Sequence, residues 1–273
     1  MADATAVRSS RASQIARYER PSLVTYLLWV LVAAFIVWSF AEAAPSMERL
    51  TKGLNRIFAP DGMLARMFPP ETERLPQVLL ALLETFQMAV AGTVLGLIFS
   101  LPLAILAAEG LSPHPIVRVL ARGLIAFFRT VPDLVWAIVF IIMVGLGPAA
   151  GVLAIMIDKI GFAGRFFAEA MEETDKGPRE ALAAIGATRT GLIFSAVIPE
   201  ALPSFVATSL FSLEKAVRGS VVLGLVGAGG IGTELRIAFD LFDYDQAATI
   251  IIAIFLLVLA VERVSDWLRK KLI

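Results

Sequence analysis

Four stretches of this chain run for sixteen or more residues without a charged side chain: Leu23–Ala41 (19 residues), Thr85–Ala108 (24), Leu134–Ile157 (24) and Gln246–Val261 (16). A helix that crosses about 30 Å of hydrocarbon needs roughly 20 apolar residues, and it satisfies its own backbone hydrogen bonds there. Of the 273 residues, 58% are hydrophobic and 18% charged, whereas soluble domains are roughly 45–50% apolar and 25% charged. The chain therefore reads as an all-α integral membrane protein.

Two further stretches are apolar but carry charge. Ile116–Val144 contains Arg118, Arg122, Arg129 and Asp133, and Leu202–Val226 contains Glu214, Lys215 and Arg218. Within Leu134–Ile157, the quartet Gly145-Leu146-Gly147-Pro148 reads as a turn between two helices. Six transmembrane helices are expected, at about 22–44, 85–108, 116–144, 149–172, 202–226 and 246–264. Residues 1–21 then form a cytoplasmic segment and 45–84 an external loop. The core is 85–264, and 265–273 is a cytoplasmic tail. In the external loop, Met47, Leu50, Leu54, Ile57 and Phe58 fall on one helical face. That helix could lie on the outer membrane surface or pack on the protein.

The first apolar run has arginines before it and Ala41-Glu42-Ala43 after it, like a secretory leader. Its length exceeds the usual 7–15 residue apolar region of such leaders, so it is read as a span. Orientation follows the lysine and arginine bias. With both termini inside, the inner segments hold 15 basic residues, including Arg8, Arg11, Arg17 and Arg20, and counting Lys159 and Arg165; the outer segments hold six. The expected arrangement is a multi-pass membrane protein with both termini in the cytoplasm.

Several chemistries are excluded. The absence of cysteine removes disulfides, thiolate metal sites and thiol nucleophiles. The single histidine, His114, removes paired-histidine metal sites and HExxH, and its place between Pro113 and Pro115 marks it as a surface loop residue. Formal net charge is zero, so no bulk basic field attracts nucleic acid. Gly227-Ala228-Gly229-Gly230-Ile231-Gly232 matches GxGxxG, but apolar helices flank it where a dinucleotide fold needs βαβ. No GxxxxGK[ST] occurs, so the chain has no Walker A cradle for ATP.

The most informative stretch is 175–203. Pro178 suits a first helical position, Arg179–Ile185 is mostly strong helix former, and Gly186 supplies the left-handed stop. Thr188 can cap a second helix, which Pro199 and Pro203 are expected to break before the next span. Ala181, Leu182 and Ile185 form a small apolar knob, edged by Arg179 and Glu180. A helix this short is unstable alone in water, so it needs the protein body and a docking partner.

This stretch resembles the EAA loop of binding-protein-dependent ABC importer permeases: Glu-Ala-Ala, three residues, Gly, nine residues, Ile-x-Leu-Pro. Glu180, Ala181, Gly186 and Pro199 stand at matching positions. Leu182, Ala196 and Ile198 replace the second Ala, the Ile and the Leu. The resemblance covers roughly residues 80–270 and implies the type I importer permease fold, with Arg179–Gly186 docking on an ATPase subunit. Phe128–Ala137, with Arg129 and Pro132, looks like the Arg-x-x-Pro signature of the corresponding span. Gly145–Gly151 and Val217–Gly232 look like the phosphonate-uptake permease subfamily, although Glu214-Lys215-Ala216 departs from it. The resemblance implies a permease subunit with no catalytic residues, carrying a phosphonate, phosphite or phosphate inward. ATP and Mg would sit on two separate ATPase subunits. A second permease copy, as a homodimer, and an extracytoplasmic binding protein are the other implied partners, and a bacterial plasma (inner) membrane is the implied setting. The rival reading is an ion-coupled secondary carrier for a small anion, with Glu214 as its carboxylate; it leaves the EAA-like loop unexplained.

Ionisable residues at membrane depth usually face the bundle interior or water. Arg129/Asp133 and Glu214/Arg218 are spaced i,i+4 and so share a helix face. With Ser220 they are candidates to line a translocation path for an anion, the other reading being structural salt bridges. Pro102 and Pro132 are candidate hinges, or tolerated kinks. Gly227, Gly229 and Gly230 form either a gate segment or a tight turn. Gly92-x-x-x-Gly96 permits close helix approach, within the subunit or between copies. Glu234, Asp240, Asp243 and Asp245 make the outer face acidic, which suits a basic partner patch or plain solvation.

Overall fold

A computed structural model describes residues 22–44 and 46–272. Arg8, Arg11, Arg17 and Arg20, used above for orientation, lie outside the described residues. The described residues are helical, without strands. They fall into two compact units, one ending at Ile57 and the other beginning at Phe58.

The first unit holds α1 (Leu23–Ala43), in which Ser22 Oγ accepts the Thr25 N–H at 3.3 Å as an N-cap. Its side chains are apolar all round, as a lipid-immersed helix requires. The amphipathic helix expected after it forms as α2 (Met47–Phe58), with Glu48 and Lys52 paired at 2.6 Å on its polar side.

The second unit begins with a single turn, α3 (Met63–Arg66), and then α4 (Leu75–Ala107). Next come α5 (Pro115–Thr130), α6 (Asp133–Val144) and α7 (Pro148–Glu172). The short α8 (Lys176–Ala184) precedes α9 (Arg189–Leu225), α10 (Ile231–Asp240) and α11 (Tyr244–Leu272). Four helices, α1, α4, α9 and α11, are long and apolar enough to cross a membrane. The α5/α6 pair makes a fifth if taken as one broken span.

Three expectations change. The expected span 116–144 is two helices bent by 89°. Pro132 has no N–H to donate and holds Val131 extended, at φ −82° and ψ 120°, which ends α5. The expected span 149–172 is present as α7, but it carries Asp158, Lys159, Arg165 and Glu169 and is too polar to count on hydropathy. Lys159 and Arg165 therefore lie within a long helix. Finally, Pro199 and Pro203 do not break α9. A π turn, Ile193–Val197, in which the Ile198 N–H reaches back to Ile193 O, carries the helix past them. Pro102 likewise sits inside a continuous α4.

Close packing of α4 on α7 organises the second unit. A Cβ on Gly92 would stand 2.7 Å from Ile155 Cβ, and one on Gly96 would stand 2.4 Å from Lys159 Cβ. The Gly92-x-x-x-Gly96 face is thus spent within the subunit. Buried clusters flank this seam. One joins Ala107, Ile125, Phe167, Met171 and Val197; another joins Ala89, Ala154, Ile155, Val217 and Leu223. Leu79, Leu80, Ile98, Phe99, Ile251 and Phe255 stay exposed, as lipid-facing side chains do.

Candidate functional site

The short helix α8 is built as its sequence dictates, with one shift. Asp175 is its N-cap, accepting the Gly177 N–H at 3.0 Å, so Pro178 falls at the third helical position. That position is still in the first turn, where the missing N–H costs no helical bond. At the other end Gly186 has φ +82°. Its N–H donates to Ala183 O and the Ala187 N–H to Leu182 O, both at 3.0 Å, which is the Schellman stop. No atom lies within 4 Å of the point where a Gly186 Cβ would sit, so backbone conformation alone demands glycine there. Thr188 caps the next helix by accepting the Gly191 N–H at 3.2 Å.

The knob projects. Ile185 is 80% exposed, Glu180 and Ala181 are exposed, and Arg179 and Leu182 are half-buried. Its base is braced on both sides. The Asp175 N–H donates to Glu200 Oε1 at 2.7 Å, and the Arg189 guanidinium donates to Ser112 O at 2.5 Å. Beside it, Glu172 accepts from Arg122 at 2.5 Å and from the Glu109 N–H at 2.6 Å. Between Glu109, Glu172, Lys176 and Arg179 lies an open cleft of about 560 Å³. His114 is the N-cap of α5, its Nδ1 accepting the Ile116 N–H at 3.2 Å.

The two i,i+4 charge pairs fare differently. Glu214 and Arg218 do pair, at 3.9 Å, but as part of a larger set. Arg218 also reaches Glu262 at 3.4 Å, and Glu214 accepts from Arg269 at 3.2 Å. Glu214 is buried, whereas Arg218 is half-exposed. Arg129 and Asp133 do not pair, because the Val131-Pro132 break places them on different helices. Arg129 faces a cleft of about 320 Å³ shared with Arg122, Arg165, Glu169 and Glu172. Asp133 begins α6, where its Oδ2 lies 3.5 Å from the Cβ position of Gly219 on α9. Ser220 is buried, and its hydroxyl donates to Val217 O in its own helix at 2.8 Å.

A second ion cluster was not anticipated. Asp158 bonds Lys159 at 2.7 Å and takes Lys215 of α9 at 3.2 Å on each of its oxygens. The adjacent Asp158-Lys159 pair within an expected span was the available signal. Lys215, Glu262 and Arg269 could not be assigned partners from the sequence because their contacts are long-range.

At its C-terminal end, α9 stops at a turn. The Ala228 N–H donates to Leu223 O and the Gly227 N–H to Gly224 O. Ala228 and Ile231 are buried, the Ile231 N–H donates to Thr85 Oγ1 at 2.7 Å, and the Gly147 N–H donates to Gly227 O at 3.0 Å. A Cβ on Gly230 would fall 2.4 Å from Thr85 Oγ1. The glycine run is therefore a packed turn tying α4, α7 and α9. Of the acids expected to face outward, Asp243 faces Arg74 at 3.6 Å and Asp240 pairs with Arg236 at 3.5 Å. The hydrogen bond shared with Asp245 holds the Asp243 carboxyl above its usual range.

The family model for the binding-protein-dependent transport system inner membrane component matches residues 100–273. The chain is 40% identical over 218 residues to the phosphate-import permease protein PhnE of Mycolicibacterium smegmatis, covering 80% of this chain and 41% of that longer protein. It is 39% identical over 202 residues to the phosphite transport system permease protein PtxC of Stutzerimonas stutzeri, covering 74% of each. Among solved structures it is similar to a chain of the inward-facing MetNI methionine ABC transporter. That match has TM-score 0.66 and 22% identity, over 74% of this chain and all of the other; it carries the fold alone. The chain therefore belongs to the binding-protein-dependent transport system inner membrane components, the permeases of ABC importers.

Proposed function

We propose that this chain is the membrane subunit of an ATP-driven importer that carries a phosphorus oxyanion (phosphonate, phosphite or phosphate) inward. The observation that carries the coupling half of this reading is the exposed, doubly braced knob of α8. A force on Ile185 passes through Asp175–Glu200 and Arg189–Ser112 into α9 and the α4–α5 turn, and from Glu172 into α7. The substrate class is supported by the names of the phosphate and phosphite relatives. In this reading two ATPase subunits dock on Arg179–Gly186, a second copy of the chain completes the path, and an extracytoplasmic binding protein delivers the anion. Both termini lie in the cytoplasm.

Arg218 and Glu214 then line the path, with Arg129 and Asp133 at either side of the α5/α6 break. Guanidinium forks match phosphorus-bound oxygens, and neighbouring carboxylates keep the anion from binding too tightly. Ser220 lies one turn from Ala216 on the same helix. Pro132, at the 89° bend, and Pro102 are the places where helices rock, while the Gly227, Gly229 and Gly230 turn moves with α4 and α7. The test is co-purification of the assembly with and without a Glu180→Ala/Gly186→Ala double substitution. The expected result is an ATPase bound to the wild type and lost from the variant. A wild-type assembly with no ATPase removes the proposal.

A further inference from the structure

The two lysines that share Asp158 are not equivalent. Lys159 is 2% exposed and enclosed at the α4–α7 seam, its Cβ set against Gly96 and its ammonium 2.7 Å from Asp158. Lys215 is 44% exposed and reaches the same carboxylate from α9. Its Nζ stands 3.2 Å from both oxygens and 5.1 Å from the centre of the Phe162 ring. One carboxylate thus faces two ammonium groups. The other nearby acid, Asp133, makes no ion pair with either lysine among the described residues. Lys215 shares an exposed strip of α9 with Phe211, Arg218 and Val222, spaced three or four residues apart.

The geometry points to Lys215 as a transient ligand of the transported anion, with Asp158 as its resting counter-ion. This rests on the importer reading above. A half-exposed ammonium held by a split contact is weakly bound, so an oxyanion bearing two or three charged oxygens competes for it. When Lys215 leaves, Asp158 is not stranded, because the enclosed Lys159 still neutralises it. When the anion moves on, Asp158 takes Lys215 back, which prevents a trapped complex. Lys159 is a positioning residue in this scheme: it fixes the carboxylate and touches no substrate.

The absence of native cysteine gives a direct test with Lys215→Cys. The complete importer, with cysteines of its partner subunits replaced, is reconstituted in liposomes with its binding protein and assayed for phosphite, phosphonate and phosphate uptake. Lys215→Cys is expected to lose at least tenfold in uptake while ATP hydrolysis stimulated by loaded binding protein continues. Aminoethyl methanethiosulfonate, which restores a positive charge, is expected to recover transport; the neutral methyl reagent is not. Excess phosphite is expected to slow the labelling. Wild-type uptake by unmodified Lys215→Cys, equal rescue by both reagents, or a loss that neither reagent reverses overturns the role of Lys215 alone. A wild-type assembly that carries none of the three anions overturns the importer reading beneath it.

Discussion

Glu214 of α9 accepts a hydrogen bond at 3.2 Å from Arg269 of α11, 55 residues further along the chain. The contact ties the last helix to α9, whose Glu200 braces the base of the knob. Glu214 is buried and takes Arg218 as a second, longer partner, while Arg218 is shared with Glu262. The four residues form an open chain of alternating sign between two helices, Glu262–Arg218–Glu214–Arg269, and Arg269 also faces Asp266 at 3.6 Å.

The burial of Glu214 sets the first expected outcome. Losing Glu214 removes a charge-assisted hydrogen bond at a buried carboxylate, at about 1.5–3 kcal/mol, while Arg269, 38% exposed, keeps Asp266 at 3.6 Å. Glu214→Ala should therefore lower the thermal midpoint of the detergent-solubilised protein markedly. Glu214→Gln, which retains an acceptor for Arg269, should lower it less. Equal midpoints for the two variants would mean that the Glu214–Arg269 contact does not stabilise the fold.

Arg218 should behave in the opposite way. It is half-exposed, so its ion pairs contribute roughly 0–1 kcal/mol. Arg218→Ala is expected to leave the unfolding midpoint and the bound ATPase almost unchanged while abolishing anion uptake. Uptake at the wild-type rate would remove Arg218 from the path.

How far the sequence reached depends on the range of each interaction. The cap at Thr188, the stop at Gly186, the turn at Gly145–Pro148 and the amphipathic α2 depend on residues within a turn or two, and all were legible. Two local rules misled because a competing local device won. Pro199 and Pro203 fail to end α9 because a π turn precedes them, and i,i+4 spacing fails for Arg129 and Asp133 because Pro132 lies between them. Asp158–Lys215 and Glu214–Arg269 cross 57 and 55 residues. Nothing in the spacing of one helix indicates which helix packs against it.

The α4–α7 seam makes a paired prediction about glycine. A side chain on Gly96 would collide with Lys159 Cβ and with Met156 O, 2.9 Å away. Gly96→Val should cost about 1–3 kcal/mol or more through overpacking. Gly123, in α5, has nothing within 4 Å of its Cβ position. Gly123→Ala should be neutral or stabilise by up to about 1 kcal/mol, since alanine favours the helix. Unfolding midpoints of both variants in one detergent check the contrast.

Gly186 separates conformation from space. Its surroundings are open, but its φ of +82° is unfavourable for any residue with a side chain. Gly186→Ala should cost about 1–2 kcal/mol locally, and Gly186→Asn less, because asparagine tolerates the left-handed region. Because α8 is short and docked at its base only, the loss should appear as local opening of the loop, with the unfolding midpoint of the whole protein little changed. Limited proteolysis within 176–190 should therefore run fastest for Gly186→Ala, intermediate for Gly186→Asn and slowest for the wild type. Retained ATPase should fall in the same order, because a frayed end misplaces Ile185. Equal cleavage of all three proteins would mean that the stop at Gly186 does not hold the knob.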